Sequence, residues 1–224
     1  MTTDDRVIVT VDVVLLAVLD GRLAAGLVRR DTEPFAGSEA LIGGYVHRSE
    51  DADAEAAAIR VLAQKTGLRG FFVEQLATFS GARRDPRGWS VSVAYFALTP
   101  HQRLQAALKA DPSSALILRP VEEIGDLPFD HDAILAAALR RLRGKGAYST
   151  LPARLLPETF TLGELQDVYR VALGAARLDK SSFRRKMTEL ALLEPVAGER
   201  AETGGRRAQL YRMRRDVSVF DRRI

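Results

Sequence analysis

Apolar residues in the first hundred positions follow the spacing of β-strands separated by turn residues. The apolar run 7–19, a turn at Asp20 and Gly21, and the segment 23–28 predict a β-hairpin. Further strands are predicted at residues 40–42, 71–79 and 91–98. Between the last two strands, the basic and glycine-containing segment 81–88 predicts a turn-rich loop.

Two segments of the same region have helical spacing instead. The first covers residues 53–66, where we expect Ala56, Ile59, Leu62 and Ala63 to form the buried stripe and Gly67 to end the helix. The second covers residues 131–142 and begins at His131. Strands and helices mixed in this order predict an α+β domain.

The last third of the chain begins with the signature of a capped helix. Thr161 and Glu164 have the spacing of a capping box, and Phe160 can pack on Leu165. The helix is predicted to end near Leu173, and a turn at 174–178 follows.

A second helix is predicted from the cap Asp179 through Leu190, followed by a hairpin. The hairpin strands are residues 194–196 and 209–211, and its long tip contains Gly204 and Gly205. Helix, short turn, helix and hairpin form the pattern of a winged helix-turn-helix. With a linker at 144–148, this order predicts two domains, at 1–146 and 151–224.

Charge is distributed unevenly between these two parts. Residues 151–224 carry 15 Lys/Arg and 10 Asp/Glu, a net charge of +5, whereas residues 1–150 carry 18 and 19, a net charge of −1. This asymmetry indicates an anionic partner for the C-terminal domain. Because only 5 of the 33 basic residues are lysine, an isolated arginine means little here, and only clustered arginines on a defined element count.

The remaining composition excludes several classes of protein. The chain has no cysteine, which excludes disulfides and zinc–thiolate sites. No run of 18 apolar residues predicts a transmembrane helix, and the polar segment 1–6 lacks the layout of a signal peptide. His47, His101 and His131 do not have metal-ligand spacing. We therefore expect a cytoplasmic protein without a membrane or metal site.

Residues 43–68 resemble the signature of the Nudix hydrolases. Gly44 and Glu50 have the spacing of its first glycine and glutamate, and Arg60, Gly67 and Leu68 fit its second part. Nine residues separate Glu50 from Arg60 where the signature has seven, which indicates a two-residue insertion.

The catalytic positions of that signature do not match. Three glutamates of the family correspond to Val61, Gln64 and Lys65, whose spacing would place them on one helix face. In an active enzyme that face gathers magnesium, which activates water for attack on a pyrophosphate. An alkyl group, an amide and an ammonium cannot do this, so the resemblance implies no catalytic residues here.

The whole chain resembles the Nudix-related transcriptional regulators of NAD metabolism (the NrtR family). The matching segments are residues 29–30, 34–37, 40–46, 85–95 and 178–186, although Ile42 stands where a proline is usual. The resemblance implies a Nudix α/β/α sandwich followed by a winged helix-turn-helix. It also implies a dimeric repressor of NAD biosynthesis or salvage genes, with ADP-ribose or a related nucleotide as effector and no other cofactor.

Candidate ligand-binding residues follow from the chemistry of a nucleoside diphosphate, which needs basic groups. The candidates are Arg29, Arg30, Arg84 and Arg87, together with Glu50 and Arg60 from the segment that resembles the Nudix signature. Glu50 and Arg60 can also pair with each other. Trp89 can stack on a base or pack in a strand.

Candidate DNA-binding residues lie on the second helix of the winged motif and on its wing. Phe183, Met187 and Leu190 are expected to pack inward. The DNA-binding candidates are Lys180, Ser181, Ser182, Arg184, Arg185, Lys186, Thr188, Arg206 and Arg207. One winged helix reads few base pairs, so we expect a homodimer, paired through the Nudix domains, on a palindromic operator.

Two other functions fit parts of the pattern. One is a Nudix hydrolase of ADP-ribose or a related nucleoside diphosphate, with the C-terminal part as a protein-contact module; the missing carboxylates oppose it. The other is a general RNA-binding protein, which the Nudix-like part does not favour.

Overall fold

The computed structural model describes residues 7–203, 206–214 and 219. Residues 1–6 and the predicted wing tip at Gly204 and Gly205 lie outside this part of the chain. The chain forms two units, one comprising Ala24–Leu139 and the segment up to Ala17, the other Val18–Leu23 and Arg140–Ile224.

A six-stranded mixed sheet is the centre of the first unit. Its strands are β1 (Ile8–Leu19), β2 (Arg22–Arg29), β3 (Glu39–Tyr45), β4 (Phe72–Gly81), β5 (Ser90–Leu98) and β6 (Leu116–Pro120). They lie in the order β4-β5-β1-β3-β2-β6. β1 runs parallel to β5 and antiparallel to β3, which brings the middle of β1 next to both strands.

The central strand β1 is buried on both faces. Val11, Val13 and Leu15 point into a core shared with helix α1 (Ala54–Thr66) and helix α2 (His101–Ala110). Because side chains alternate along a strand, Asp12 and Val14 point to the opposite face, where His131, the first residue of helix α3 (His131–Gly146), reaches Asp12. A sheet covered on both faces is a sandwich, as predicted.

Helix α1 has the predicted limits but buries a different face. Asp53 caps it by accepting a hydrogen bond from the Ala56 N–H, and Gly67 ends it in the left-handed conformation. The buried side chains include Ala57, Ala58, Val61 and Leu62. Of the predicted stripe only Leu62 is fully buried, whereas Ile59 is 44% exposed.

Close approach of α1 to β3 explains this choice of face. A Cβ at Gly44 would lie 2.9 Å from Cγ2 of Val61, so the glycine makes room for the valine. The helix is rich in alanine, and several of its faces are apolar enough to be buried. The fit against the sheet, rather than the helix sequence alone, therefore decides which face of α1 is buried.

Other predicted elements are confirmed, with three differences. Helix α2 and strand β6 lie in a stretch where no element was predicted. Helix α3 continues four residues beyond the predicted end at Leu142, so residues 144–146 of the predicted linker are helical instead. The two units divide within α3, between Leu139 and Arg140. Because α3 is continuous to Gly146, we propose the domain limits 1–146 and 151–224.

The second unit contains the predicted helix-turn-helix and a hairpin. The predicted long tip is wrong, because the strands extend to Thr203 and from Arg206 instead of stopping at residue 196 and restarting at residue 209. Its helices are α4 (Leu162–Leu173) and α5 (Lys180–Glu189), and its strands are β7 (Phe160–Thr161), β8 (Leu193–Thr203) and β9 (Arg206–Met213). The strands form a sheet in the order β7-β9-β8.

The capping box of α4 is confirmed in both directions. The Thr161 hydroxyl accepts from the Glu164 N–H at 3.2 Å, and the Glu164 carboxylate accepts from the Thr161 N–H at 2.7 Å. Asp179 likewise caps α5 by accepting from the Ser182 N–H at 2.8 Å. These caps fix where both helices begin.

One side chain of the predicted inward face of α5 is placed differently. Phe183 and Met187 are buried in a core with Leu165 and Tyr169. Leu190 is 36% exposed, because it is the residue that ends α5, and Leu192 takes the inward position instead.

Candidate functional site

The first unit contains a cleft of about 200 Å³ above the centre of the sheet. It is bounded by β1, the end of β2, β3, the last turn of α1, the loop between β4 and β5, and the loop that precedes α3. Four of the six predicted ligand residues line it, namely Arg29, Arg30, Arg84 and Arg87. Glu50 and Arg60 are not among the lining residues.

A buried ion cluster forms the floor of this cleft. The Arg84 guanidinium donates to both carboxylate oxygens of Asp130, at 3.0 and 2.8 Å, and to Oδ2 of Asp12 at 3.4 Å. It also donates to the Ser90 hydroxyl at 3.1 Å. Only 7% of the Arg84 side chain is exposed, so this arginine is committed to the protein itself.

Asp12 is the acidic centre of the cluster. Its Oδ2 accepts from the Ser92 hydroxyl at 2.6 Å, and its Oδ1 lies 3.4 Å from Nε2 of His131. Burial raises the pKa of Asp12, but the hydrogen bonds from His131 and Ser92 and the charge of Arg84 outweigh burial and lower it. Asp12 is therefore ionised within the fold.

His131 links this acid to the neighbouring strand. Its Nδ1 accepts the N–H of Leu41 on β3 at 3.1 Å, so Nε2 carries the proton that faces Asp12. The cluster also explains Gly43, since a Cβ there would collide with the Asp12 carboxylate.

Arg87 lies at the mouth of the cleft among aromatic rings. Asp85 holds it through two side-chain hydrogen bonds, at 2.9 and 2.6 Å. Its guanidinium also donates to the Tyr45 hydroxyl and lies 5.5 Å from the Tyr45 ring centroid and 5.9 Å from that of Phe129. The charge of Arg87 is thus held in place but remains partly exposed, at 34% of the side chain.

The electrostatics of this pair reinforce its position. Burial raises the pKa of Asp85, but the Arg87 side-chain and backbone hydrogen bonds outweigh it and lower that pKa. The hydrogen bond to Asp85 in turn raises the pKa of Arg87.

The other two predicted arginines lie at the end of strand β2, where Arg29 is the last residue of the strand and Arg30 follows it. Arg30 donates to the backbone oxygens of Pro34 and Thr32, at 2.8 and 3.2 Å, and lies 4.9 Å from the Phe129 ring centroid. Arg29 is more exposed and lies 3.6 Å from Glu39. The guanidinium of Arg30 is therefore held in place more firmly than that of Arg29.

The expected pairing of Glu50 with Arg60 is wrong. Arg60 instead makes a two-point ion pair with Asp51, at 2.7 and 2.8 Å, while Glu50 lies 3.1 Å from Nδ1 of His47. The hydrogen bond from Arg60 is the main cause that lowers the pKa of Asp51 to about 2.

The three degenerate positions of the box are placed differently from one another. Val61 is buried against Gly44, and Gln64 accepts a hydrogen bond from Arg60 at 3.3 Å. Only Lys65 lines the cleft. Within the described residues, no group of three His, Cys, Asp or Glu side chains is placed to hold a metal ion.

Several residues that line the cleft were not predicted from the sequence, and Trp89, which was considered for stacking on a base, is not among the lining residues. Asp12, Tyr45, Phe129 and His131 were not predicted as lining residues; a single carboxylate within the apolar run of β1 was the available signal for Asp12. Trp89 is 49% exposed and does not line the cleft.

The second unit presents the predicted basic helix to solvent. Lys180, Ser181, Ser182, Arg184, Arg185 and Thr188 are exposed on α5, and Lys186 is half-buried. Arg185 lies 3.7 Å from Glu189, and both side chains are largely exposed. Gln166 of α4 donates to the backbone oxygen of Leu178 at 2.8 Å, which fixes the turn that leads into α5.

For the wing, the structure describes the backbone of Arg206 and Arg207. They pair with Thr203 and Glu202 across the hairpin, directly after the predicted tip. Their side chains lie outside the described part of the chain.

No helix among the described residues is both long and apolar enough to cross a membrane.

Comparison with known proteins matches both units. Residues 152–213 match the family model of the NrtR DNA-binding winged helix domain. The ADPR responsive transcriptional repressor NtrR of Acinetobacter baylyi is 39% identical over 206 residues, which cover 92% of this chain and 81% of that protein.

Two crystal structures of NrtR from Shewanella oneidensis match as well. The complex with a 27mer DNA has 35% identity and a TM-score of 0.87, covering 96% of this chain and 99% of that one. The Nudix domain complexed with ADP ribose has 31% identity and a TM-score of 0.53, covering 62% of this chain and 90% of that one. These matches confirm the predicted fold, a Nudix domain followed by a winged helix.

Proposed function

Because the chain belongs to the NrtR family of Nudix-related transcriptional repressors, we propose that it represses transcription and that ADP-ribose or a related nucleotide changes its affinity for DNA. The observation that carries this proposal is the 39% identity to the Acinetobacter repressor over 92% of the chain. The protein is a regulator rather than an enzyme. Its genes are those of NAD biosynthesis or salvage, as the family resemblance implies.

The cleft of the first unit is the effector site. Its exposed charges and aromatic rings suit a nucleoside diphosphate, which requires cations for the diphosphate and flat apolar surfaces for base or sugar. We assign ligand contact to Arg30 and Arg87 first. Arg29 is a further candidate, and Arg84 contributes by holding the cleft floor.

Glu50 and Arg60 have a different role in this proposal. The Asp51–Arg60 pair ties the loop after β3 to α1, since Arg60 also donates to the Tyr45 backbone oxygen at 2.9 Å. This contact positions Tyr45, whose ring and hydroxyl meet Arg87. Arg60 therefore acts on the mouth of the cleft indirectly, by holding the backbone of Tyr45.

The exposed face of α5 is the DNA-reading surface. Arg185 is the candidate for base contact, because arginine can bind guanine through two hydrogen bonds in the major groove. Lys180, Ser181, Ser182, Arg184, Lys186 and Thr188 contact phosphates or base edges, and Arg206 and Arg207 of the wing add sequence-independent affinity.

Useful specificity requires two copies of such a small reading surface. We therefore propose a homodimer, paired through the Nudix domains, on a palindromic operator in the cytoplasm. Coupling then requires that the effector bind two arrangements of the dimer with different affinity.

A gel-shift titration tests this function. The full-length protein is titrated onto the DNA upstream of its own gene and onto promoters of NAD-biosynthesis genes, with and without ADP-ribose. We expect specific binding to at least one fragment and a midpoint that shifts with ADP-ribose. Binding that equals that of random DNA, or no shift with ADP-ribose or NAD, would contradict the proposal.

A further inference from the structure

The Nudix fold implies a divalent cation at the diphosphate, and the residues of this cleft do not fit one. Magnesium prefers six oxygen ligands in a strict octahedron, drawn largely from carboxylates and water. Two of the acids that line the cleft are already committed, Asp12 to Arg84, His131 and Ser92, and Asp85 to Arg87. The third, Asp31, is exposed and has no second acid beside it among the lining residues.

The charge balance of the lining residues is positive without any metal. Five cationic side chains line the cleft against three acidic ones. The cations are Arg29, Arg30, Lys65, Arg84 and Arg87, and the acids are Asp12, Asp31 and Asp85. Asp130 and Glu39, which lie outside the lining, pair with Arg84 and Arg29, so the positive charge that a diphosphate would meet is carried mainly by Arg30, Lys65 and the exposed part of Arg87.

Lys65 differs from the other cations in having no commitment within the fold. It lies in the last turn of α1, is exposed, and lines the cleft. Among the described residues its ammonium group has no hydrogen bond or ion pair, whereas Arg84 and Arg87 are held by Asp130 and Asp85. Its three N–H donors are available to oxygen atoms of a ligand.

We propose that the Lys65 ammonium group binds the diphosphate of the nucleotide in place of a divalent cation, so that ligand binding is independent of metal. This inference rests on the proposed effector site and specifies its chemistry. It makes Lys65 a binding residue at a position where the fold otherwise supplies a metal ligand. A carboxylate there would need magnesium to hold a diphosphate, but an ammonium group needs nothing.

Calorimetric titration of the full-length protein with ADP-ribose, once in EDTA and once in magnesium, tests the inference. The wild-type dissociation constant should change by less than about twofold between the two buffers. In EDTA, Lys65→Glu should weaken binding about 10- to 100-fold, the range for loss of a hydrogen bond to a charged group, and Lys65→Arg should retain most of the affinity.

Lys109→Glu is the matched control, because Lys109 also lies in the last turn of a helix of the same unit but does not line the cleft. It should bind like wild type. Thermal unfolding of each variant separates loss of binding from loss of fold.

The outcomes distinguish this inference from the function on which it rests. If wild type binds ADP-ribose more than about twofold more tightly with magnesium, or if Lys65→Glu binds like Lys109→Glu, the role of Lys65 is refuted and the effector site stands. If wild type binds no ADP-ribose in either buffer, the effector site and the role of Lys65 are both refuted.

Discussion

Replacing Arg84 with alanine tests whether the buried ion cluster holds the floor of the cleft. The substitution removes the only arginine that bridges Asp130 and Asp12 among the described residues. Asp12, which is 6% exposed, keeps only its hydrogen-bond partners His131 and Ser92. A buried carboxylate without its cation is the main penalty of the change.

The magnitude follows from the burial of the three side chains. Removing one partner of a buried ion pair costs about 3–5 kcal/mol. Arg84 and Asp12 are deeply buried, but 23% of the Asp130 side chain is exposed, so water recovers part of its loss. We therefore expect the free energy of unfolding to fall by about 3 kcal/mol, and the Tm by about 6–12 °C for a domain of this size.

Urea denaturation followed by circular dichroism measures this change. Arg83→Ala is the matched control, because Arg83 is the exposed neighbour in the same loop and should cost less than about 0.5 kcal/mol. Asp12→Asn in the Arg84→Ala background should recover part of the loss, since it removes the unpaired charge. If Arg84→Ala were no more destabilising than Arg83→Ala, the ion cluster would not stabilise the fold.

Three further predictions concern the loop, the DNA surface and catalysis. Since the hydrogen bond from Arg60 is the largest of the causes that lower the pKa of Asp51 to about 2, the stability advantage over Arg60→Gln should be constant above about pH 5 and decline as the pH falls toward 2, measured by urea denaturation at stepped pH. Arg185→Ala should weaken operator binding by about 1–3 kcal/mol and relax preference at one position per half-site, whereas Arg207→Ala should weaken binding to all sequences and flatten its salt dependence, both measured by gel shift. Magnesium should produce no turnover of ADP-ribose above background in a product-release assay; clear turnover would restore the hydrolase alternative.

Elements whose limits are set by neighbouring residues could be predicted from the sequence. The caps Asp53, Thr161 and Asp179 each bond to an N–H three residues away, so a short window contains the whole signal. Helix α2 lacks such a signal, because Pro100 precedes it without any side-chain cap. Strand β6 is five residues long, lies at the sheet edge and ends in a proline, which together conceal it.

The buried face of α1 shows how tertiary contacts override a local pattern. A sequence containing five alanines offers no single apolar stripe, and the predicted stripe included Ile59. Gly44, on a strand and ten residues before the helix begins, selects Val61 instead by leaving space for it. The same rotation of α1 buries Val61 and directs Lys65 into the cleft. The three positions where the Nudix signature has glutamates therefore lie in different surroundings.

The arginines of the loop between β4 and β5 show why clustered charge alone cannot assign a site. Arg83 is exposed, Arg84 is buried against acids 46 and 72 residues away in sequence, and Arg87 is tied to Asp85 at the cleft mouth. Nothing within the loop distinguishes these outcomes, because the partners of Arg84 come from other elements. Arg84 was predicted as a ligand contact, yet its hydrogen bonds are already taken by the protein. A loss of ligand affinity in an Arg84 variant therefore has to be weighed against its loss of stability, whereas a loss at Lys65 in a variant that stays folded reports directly on the charge that we propose binds the nucleotide.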